Sequence, residues 1–426
     1  MTAIIVSVLT GSIFIGLPVA IAMGLAGASL ILLSGNIPFE VVAQRFVVGV
    51  DSFALLAVPF FITAGVLMET GGITERLVRF ANALVGHLTG GLGHVVVVTN
   101  MIMAGMSGSA TADTAATGSV LIPAMRRVGF DARFSAAIIA AAGTIGPIIP
   151  PSIPFVLLGV MANVSVGRLF LGGAIPGVLM GLYLMGVVYF VAKRRGYPKQ
   201  KRSTLRSVIT ALKDAVPALM LPVIIMGGIL GGVFTPTEAA VVAVVYALAV
   251  GAFVYRELTF ASVVKAFGEA ALINGTIMFI VAGASLLSWS LARLQVGQML
   301  INAVTSVSLS PAFVLIAVNV LVLVAGCFLE TLALMFILVP VLFPLITSLG
   351  IDPVHFGVVF VLNLMIGQIT PPVGICMYVS CKIAGITVGD FAREIPPYVA
   401  VLIMLMFTIT FVPGLVLFLP NLLMGY

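Results

Sequence analysis

Apolar runs long enough to cross about 30 Å of hydrocarbon recur from one end of this chain to the other. In hydrocarbon every backbone N–H and C=O needs a partner within the protein, so spanning segments must be helices or closed barrels. Barrel strands would alternate apolar and polar residues over short segments, and these runs do not alternate. The expected class is therefore an all-α polytopic membrane protein. Charge agrees: only 8% of the 426 residues are charged, against about 25% in a soluble domain. The opening "MTAIIVSVLTGSIFIGLPVAIAMG" has no basic n-region and no small-residue cleavage site, so it reads as a first span and not as a signal peptide. Cys327, Cys376 and Cys381 lie within apolar segments and read as small apolar fillers.

Basic residues set the orientation. Residues 193–215, "KRRGYPKQKRSTLRSVITALKDA", hold eight Lys or Arg and one Asp. Short basic loops stay cytoplasmic, which places this linker inside. Counting outward leaves three of the 20 basic residues (Arg45, Arg168, Arg293) outside and 17 inside, provided the chain makes two re-entrant hairpins. The expectation is a multi-pass inner-membrane protein with a cytoplasmic N-terminus and a periplasmic C-terminus.

A shift of 221 residues sets "AGMSGSATADTAATGSVLIPAMRRVGFD" (104–131) on "AGCFLETLALMFILVPVLFPLITSLGID" (325–352). Continued without a gap, it gives 12 identities in the 49 positions 104–152, among them three prolines, three glycines and an aspartate. Upstream the offset becomes 218, pairing Pro18 with Pro236 and "FITAG" (61–65) with "FIVAG" (279–283). One extra crossing at 215–233 would turn the second copy upside down. The expected organisation has two inverted-topology repeats, each with a re-entrant helical hairpin and a broken helix. The first repeat is 1–195, with its hairpin at about 88–127 and its broken helix at about 131–165. The cytoplasmic basic linker is 196–214. A connecting helix and the second repeat fill 215–426, with the hairpin at about 311–349 and the broken helix at about 353–386. Inverted repeats with discontinuous helices are a hallmark of secondary transporters, whose sites lie near the membrane midplane.

The breaks themselves are "GTIGPIIPPS" (143–152) and "IGQITPPVG" (366–374), which put glycine and paired prolines in mid-span. Proline removes a backbone donor and clashes with the preceding turn. Such a break is tolerated in hydrocarbon only where it is buried in protein or faces a water-filled cavity. Freed carbonyls suit hard cations such as Na⁺, and the half-helix that follows points its positive end at the same place, which suits a carboxylate. The polar stretch "MSGSATADTAATG" (106–118) supplies hydroxyls at a hairpin tip. Hydroxyls bonding back to their own helix and small residues at helix contacts are the plainer readings, and two pseudo-symmetric units argue against them. Asp113 and Glu330 are intramembrane acids, functional candidates by default. Each could instead bond exposed amides at its tip, the role preferred for Glu330. Glu238, after Thr235-Pro236-Thr237, reads as a helix-capping acid. His87, His94 and His355 show no metal spacing. No lysine follows a glycine, so no phosphate-binding GxxxxGK[ST] loop exists, and neither HExxH nor GxSxG occurs. An enzyme, an ATP-driven pump and an organic cofactor are not expected.

Together "MSGSATADTAATG", "GTIGPIIPPS", "GGVFTPTEAAVVAVVYAL" and "IGQITPPVG" resemble the large membrane subunit of the tripartite ATP-independent periplasmic (TRAP) transporters, over essentially all 426 residues. The resemblance implies an elevator-type transporter that imports an organic acid, such as a C4-dicarboxylate, keto acid or sialic acid, with two or more sodium ions. One Na⁺ would sit among Ser107, Gly146, Ile149 and Pro151, and a second among Gly326, Gly367, Thr370 and Val373. Substrate contacts are expected at Ser109, Thr111, Asp113, Pro150, Ser152, Thr331 and Asn363. Segments 88–165 and 311–386 would move against a scaffold of the flanking spans. The implied partners are a small membrane subunit (Q type) forming a heterodimer and a periplasmic substrate-binding protein (P type), in a lipid membrane and with no nucleic acid. No four-helix extension stands at either end of these residues, so the small subunit is expected as a separate chain. A one-component ion-coupled anion transporter with the same repeats is the alternative.

Overall fold

The computed structural model describes residues 1–307 and 309–425. The 215–426 segment therefore includes two positions outside the described residues, Ser308 and Tyr426. The regular structure described is helical throughout. The first half contains α1 (Thr2–Phe14), α2 (Val19–Ser34), α3 (Glu40–Val50), α4 (Ala57–Thr70) and α5 (Ile73–Val85). It continues with α6 (Gly91–Ser107), α7 (Ala110–Arg127), α8 (Ala132–Gly143), α9 (Ile153–Ala162) and α10 (Val166–Arg195). The second half opens with α11 (Leu205–Leu230), α12 (Pro236–Ala249), α13 (Phe260–Arg293), α14 (Val296–Ser306) and α15 (Pro311–Gly326). It closes with α16 (Thr331–Ser348), α17 (Pro353–Gly367), α18 (Ile375–Ala384), α19 (Val388–Glu394), α20 (Pro396–Phe411) and α21 (Gly414–Met424).

The opening stretch, expected as one span, is two helices. Pro18 has no N–H to continue α1 and becomes the N-cap of α2. Among the described residues six helical segments are long and apolar enough to cross a membrane, or up to eight if each bent pair counts as one span. α19 is not a continuation of α18 but turns away from it by 109°.

Local chemistry explains where the central helices begin. Asp131 caps α8, its side chain accepting from Arg133 N at 2.8 Å. Asp352 caps α17 in the same way, accepting from Val354 N at 2.7 Å. Thr235 and Glu238 form a reciprocal capping box at the start of α12. The starts of α7 and α16, at 110 and 331, and of α8 and α17, at 132 and 353, keep the 221-residue offset of the sequence match.

Packing sorts the helices into two groups. α1–α4 pack with α11–α13, chiefly α2 and α4 against α13, and α4 against α12. α6–α10 pack with α15–α18, α20 and α21. Phe134, Phe155, Phe170, Phe356, Phe360 and Tyr398, all fully buried, belong to this second group. α5 and α14 run between the groups: α5 lies against α6 and α11, and α14 against α13 and α16. Where the groups meet directly, α4 faces α6 and α9, and α13 faces α16.

Candidate functional site

The first hairpin turns in two residues. Gly108 ends α6 in the left-handed region, at φ +59°, where a side chain would be strained. Ser109 then caps α7, its Oγ accepting from Ala112 N at 3.4 Å. Ser107 Oγ donates to Asp113 Oδ1 at 2.5 Å. Asp113 is fully buried, and its other oxygen, Oδ2, has no partner. The hydroxyls of Ser109 and Thr111 lie 3.2 Å apart. The break between α8 and α9 closes on this tip. A Cβ on Gly146 would lie 2.5 Å from Asp113 Oδ2 and 3.3 Å from the backbone of Ser109. A Cβ on Gly108 would lie 2.8 Å from the carbonyl oxygen of Pro151. Glycine at both positions is what lets two stretches of backbone approach so closely. Ser107, Gly146 and Pro151 are thus brought together around Asp113. Ile149 directs its side chain against Gly177 of α10. Pro150 is buried beside the tip. Ser152 is fully buried and caps α9, donating to Pro147 O at 2.5 Å and accepting from Phe155 N at 3.2 Å.

The second tip solves the same problem differently. Glu330 is the N-cap of α16, and its Oε2 accepts from Leu332 N at 2.9 Å and Ala333 N at 3.2 Å. Thr331 Oγ1 accepts from Gln368 Nε2 at 2.5 Å, and Gln368 Oε1 is buried without a partner. Gly326 and Gly367 touch; a Cβ on Gly367 would fall 2.5 Å from the Gly326 carbonyl oxygen. Val373 N donates to Cys327 O at 3.0 Å, which ties the second break to its hairpin. Thr370 Oγ1 donates to Ile366 O at 2.7 Å. Asn363 stands apart from this tip: its Nδ2 donates to Asn319 O at 2.8 Å, linking α17 to α15.

Both tips face one cavity of about 480 Å³ at the junction of the two helix groups. Ser107, Ser109, Thr111, Asp113 and Thr331 are in its wall, whereas Pro150, Ser152 and Asn363 are not. The other helix group supplies apolar residues, Ile62, Met68, Ile273 and Ile277, and one acid, Glu69. Glu69 and Gln368 were not singled out from sequence. Gln368 left a signal, a lone amide inside an apolar run two residues before a threonine and a proline pair. Glu69 left none, because it lies at a helix end where exposed acids are ordinary. Three carboxylates, Glu69, Asp113 and Glu330, face the cavity, and no Lys, Arg or His among the described residues does. The described residues contain no group of three or more His, Cys, Asp or Glu that could hold a metal. A cation here would depend on carbonyl and hydroxyl oxygens with Asp113 as the nearest charge, a donor set for a hard ion.

Residues 6–415 match the family model described as "Tripartite ATP-independent periplasmic transporter, DctM component". The sialic acid TRAP transporter large permease SiaM of Vibrio cholerae is 41% identical, over 98% of this chain and 97% of its own length. The 2,3-diketo-L-gulonate large permease YiaN of Escherichia coli is 42% identical, over 96% of each chain. The C4-dicarboxylate large permease DctM of Pseudomonas aeruginosa is 42% identical, over 94% of each. Among solved structures, the YdaH transporter of Alcanivorax borkumensis superposes with a TM-score of 0.66 at 16% identity, over 88% of both chains. At that identity the likeness concerns the fold alone.

Proposed function

The chain belongs to the DctM family of TRAP transporters as a large permease, and from that premise we propose that it imports an organic acid with sodium as the coupling ion. Members of this family are transporter subunits and not enzymes, and they work with a small permease and a periplasmic binding protein. The named substrates of the three relatives above, sialic acid, 2,3-diketo-L-gulonate and C4-dicarboxylates, support an organic acid as cargo here.

One observation carries the sodium reading. A carboxylate substrate must enter a cavity that presents three acids and no cationic side chain. At an effective dielectric of about 20, two like charges 4 Å apart repel by about 4 kcal/mol. Bound cations remove that penalty, and Asp113 Oδ2 is buried with nothing else to satisfy it. The first sodium would be held by Ser107, Gly146, Ile149 and Pro151 beside that oxygen, and the second by Gly326, Gly367, Thr370 and Val373. Substrate would then lie between the tips, its carboxylate toward the start of α7 and the hydroxyls of Ser109, Thr111 and Thr331. Pro150, Ser152 and Asn363 would act from behind, Ser152 by fixing the start of α9 and Asn363 by fixing α17.

An elevator movement fits the two packing groups. The group holding both tips and both breaks carries the site; unlike the expected division, in which only 88–165 and 311–386 move, it takes in α10, α20 and α21, which pack on it, and the group of α1–α4 and α11–α13 stays with the small subunit. The basic linker 196–214 faces the cytoplasm and the C-terminus the periplasm. Proteoliposomes containing this chain and its small subunit, supplied with the binding protein, should accumulate substrate down a Na⁺ gradient. Full uptake with choline in place of Na⁺, or with a proton gradient alone, would refute sodium coupling. Full uptake without the binding protein would favour a one-component transporter.

A further inference from the structure

Glu69 belongs to the helix group that does not carry the tips, yet it stands in the wall of the same cavity as Asp113. Ile62, Gly65 and Glu69 fall on one face of α4, three and four residues apart. Gly65 is where α4 meets the first tip: a Cβ there would lie 3.5 Å from Ser107 Cα. Glu69 is one turn further along. Beyond it the wall continues through Ile73 and Thr74 of α5. The far end of that helix holds the basic linker, Gln200 N donating to Gly86 O at 3.1 Å. The opposite end of α4 takes no part. There Thr237 Oγ1 donates to Phe53 O at 3.1 Å, and neither residue is in the wall. The cavity therefore runs from the tips toward the linker side, with Glu69 beside its path.

The Glu69 carboxylate does nothing for the fold. It is exposed, and among the described residues it forms no ion pair. Arg76 of α5 and Lys265 of α13 pair instead with Glu257 at 2.6 Å and with Glu269 at 3.7 Å. Nor does it help its own helix. An acid in the last turn opposes the helix dipole, and α4 has no basic residue there to offset it.

Taking sodium-coupled uptake by an elevator movement as the reading on which this rests, we infer that Glu69 is a release residue, a fixed negative charge that the substrate carboxylate meets only after the tips have reached the linker side. Of the three acids in the wall, Glu69 alone belongs to the stationary group. Asp113 and Glu330 travel with the site and act on the cargo in both states. An interaction made in one state alone shifts the balance between states. Glu69 therefore weakens substrate binding where substrate must leave, and leaves binding on the other side of the membrane untouched. Its effect on the two cargoes is opposite: it repels the acid and attracts sodium, so the acid leaves first and the ions follow.

The test uses the purified chain with its small subunit in detergent, and the thermal unfolding midpoint reports binding. The probes are sodium alone and, at saturating sodium, sialic acid, 2,3-diketo-L-gulonate and succinate, with choline chloride holding the ionic strength constant. E69Q should need about threefold more sodium for half its shift, and about threefold less of whichever anion the wild type binds. E69K reverses the charge and should square both factors, to about tenfold. E69D should match the wild type. Lost packing would move both affinities the same way, so shifts of opposite sign separate charge from structure. Equal responses in E69Q, E69K and the wild type would overturn the assignment, as would shifts of the same sign. Loss of the sodium response with the anion response unchanged would overturn it too, by making Glu69 an ion ligand. If no anion probe binds, the order of sodium responses, E69K weaker than E69Q and E69Q weaker than wild type, decides alone. A wild-type chain indifferent to sodium would refute sodium coupling, and the anion shifts would still test Glu69. Silence to every probe would overturn both.

Discussion

Asp113 and Glu330 stand at the tips of two hairpins whose helices keep a common 221-residue offset, and they do different work. Glu330 spends one oxygen on two backbone amides, at 2.9 and 3.2 Å, and so completes its own helix. Asp113 takes one hydroxyl at 2.5 Å and leaves Oδ2 buried and unpaired. At the first tip the capping is done by Ser109, which frees the acid for something else. Surroundings diverge in step. Pro150 and Pro151 are buried in the first break, whereas Pro372 is exposed in the second and Val373 is 39% exposed. A repeated backbone therefore does not carry a repeated chemistry. One half-site is enclosed with an unpartnered carboxyl oxygen, and the other is self-satisfied and more open.

The comparison is best broken at its sharpest point. D113N keeps the shape of the side chain and removes the charge, and uptake should fall roughly a hundredfold, the scale of a lost charge-assisted contact. Expression and unfolding temperature should hold or rise, because a buried unpaired carboxylate oxygen is costly. G146A adds a methyl group 2.5 Å from Asp113 Oδ2; overpacking of this kind costs about 1–3 kcal/mol, and sodium-driven uptake should drop about tenfold. E330A strips a helix cap, so the folded state should lose about 1 kcal/mol, seen as a lower unfolding midpoint with uptake changed less than about threefold. An equal collapse of uptake in E330A and D113N would show that the two acids share one role. T370A should have the smallest effect. Its hydroxyl already donates to Ile366 O at 2.7 Å, so only its acceptor side is free for an ion, and the sodium concentration for half-maximal uptake should rise about threefold.

Much of this was legible in the residues. Paired prolines in mid-span have one physical meaning in hydrocarbon, and the helices do stop there: α8 ends at Gly143 and α17 at Gly367. The polar run 106–118 is a tip because Gly108 and Ser109 cannot continue a helix as cheaply as they end one. The capping role of Glu238 was readable for the same reason, as Thr235 precedes it at cap spacing. Other features left no trace. Asn363 looks like a lone polar group aimed at a site, yet its partner is the backbone of Asn319, 44 positions away, which no local pattern announces. The apolar cavity wall of Ile62, Met68, Ile273 and Ile277 is indistinguishable in sequence from lipid-facing surface. Glu69 reads as an ordinary acid at a helix end, and only the packing of α4 against α6 turns it toward Asp113. The division of α1 from α2 needed more weight on Pro18 than its apolar flanks suggested.

The central claim is that a cation bound at Asp113 makes an acid-lined cavity accept an acid. It is tested most directly by the sodium dependence of substrate uptake in proteoliposomes, for the wild-type chain and D113N, each assembled with the same small subunit and binding protein. The account predicts steep sodium stimulation in the wild type and almost none in D113N at any sodium concentration, with the variant protein still folded and inserted. Sodium stimulation of D113N to the wild-type level, with the same half-maximal concentration, would contradict it.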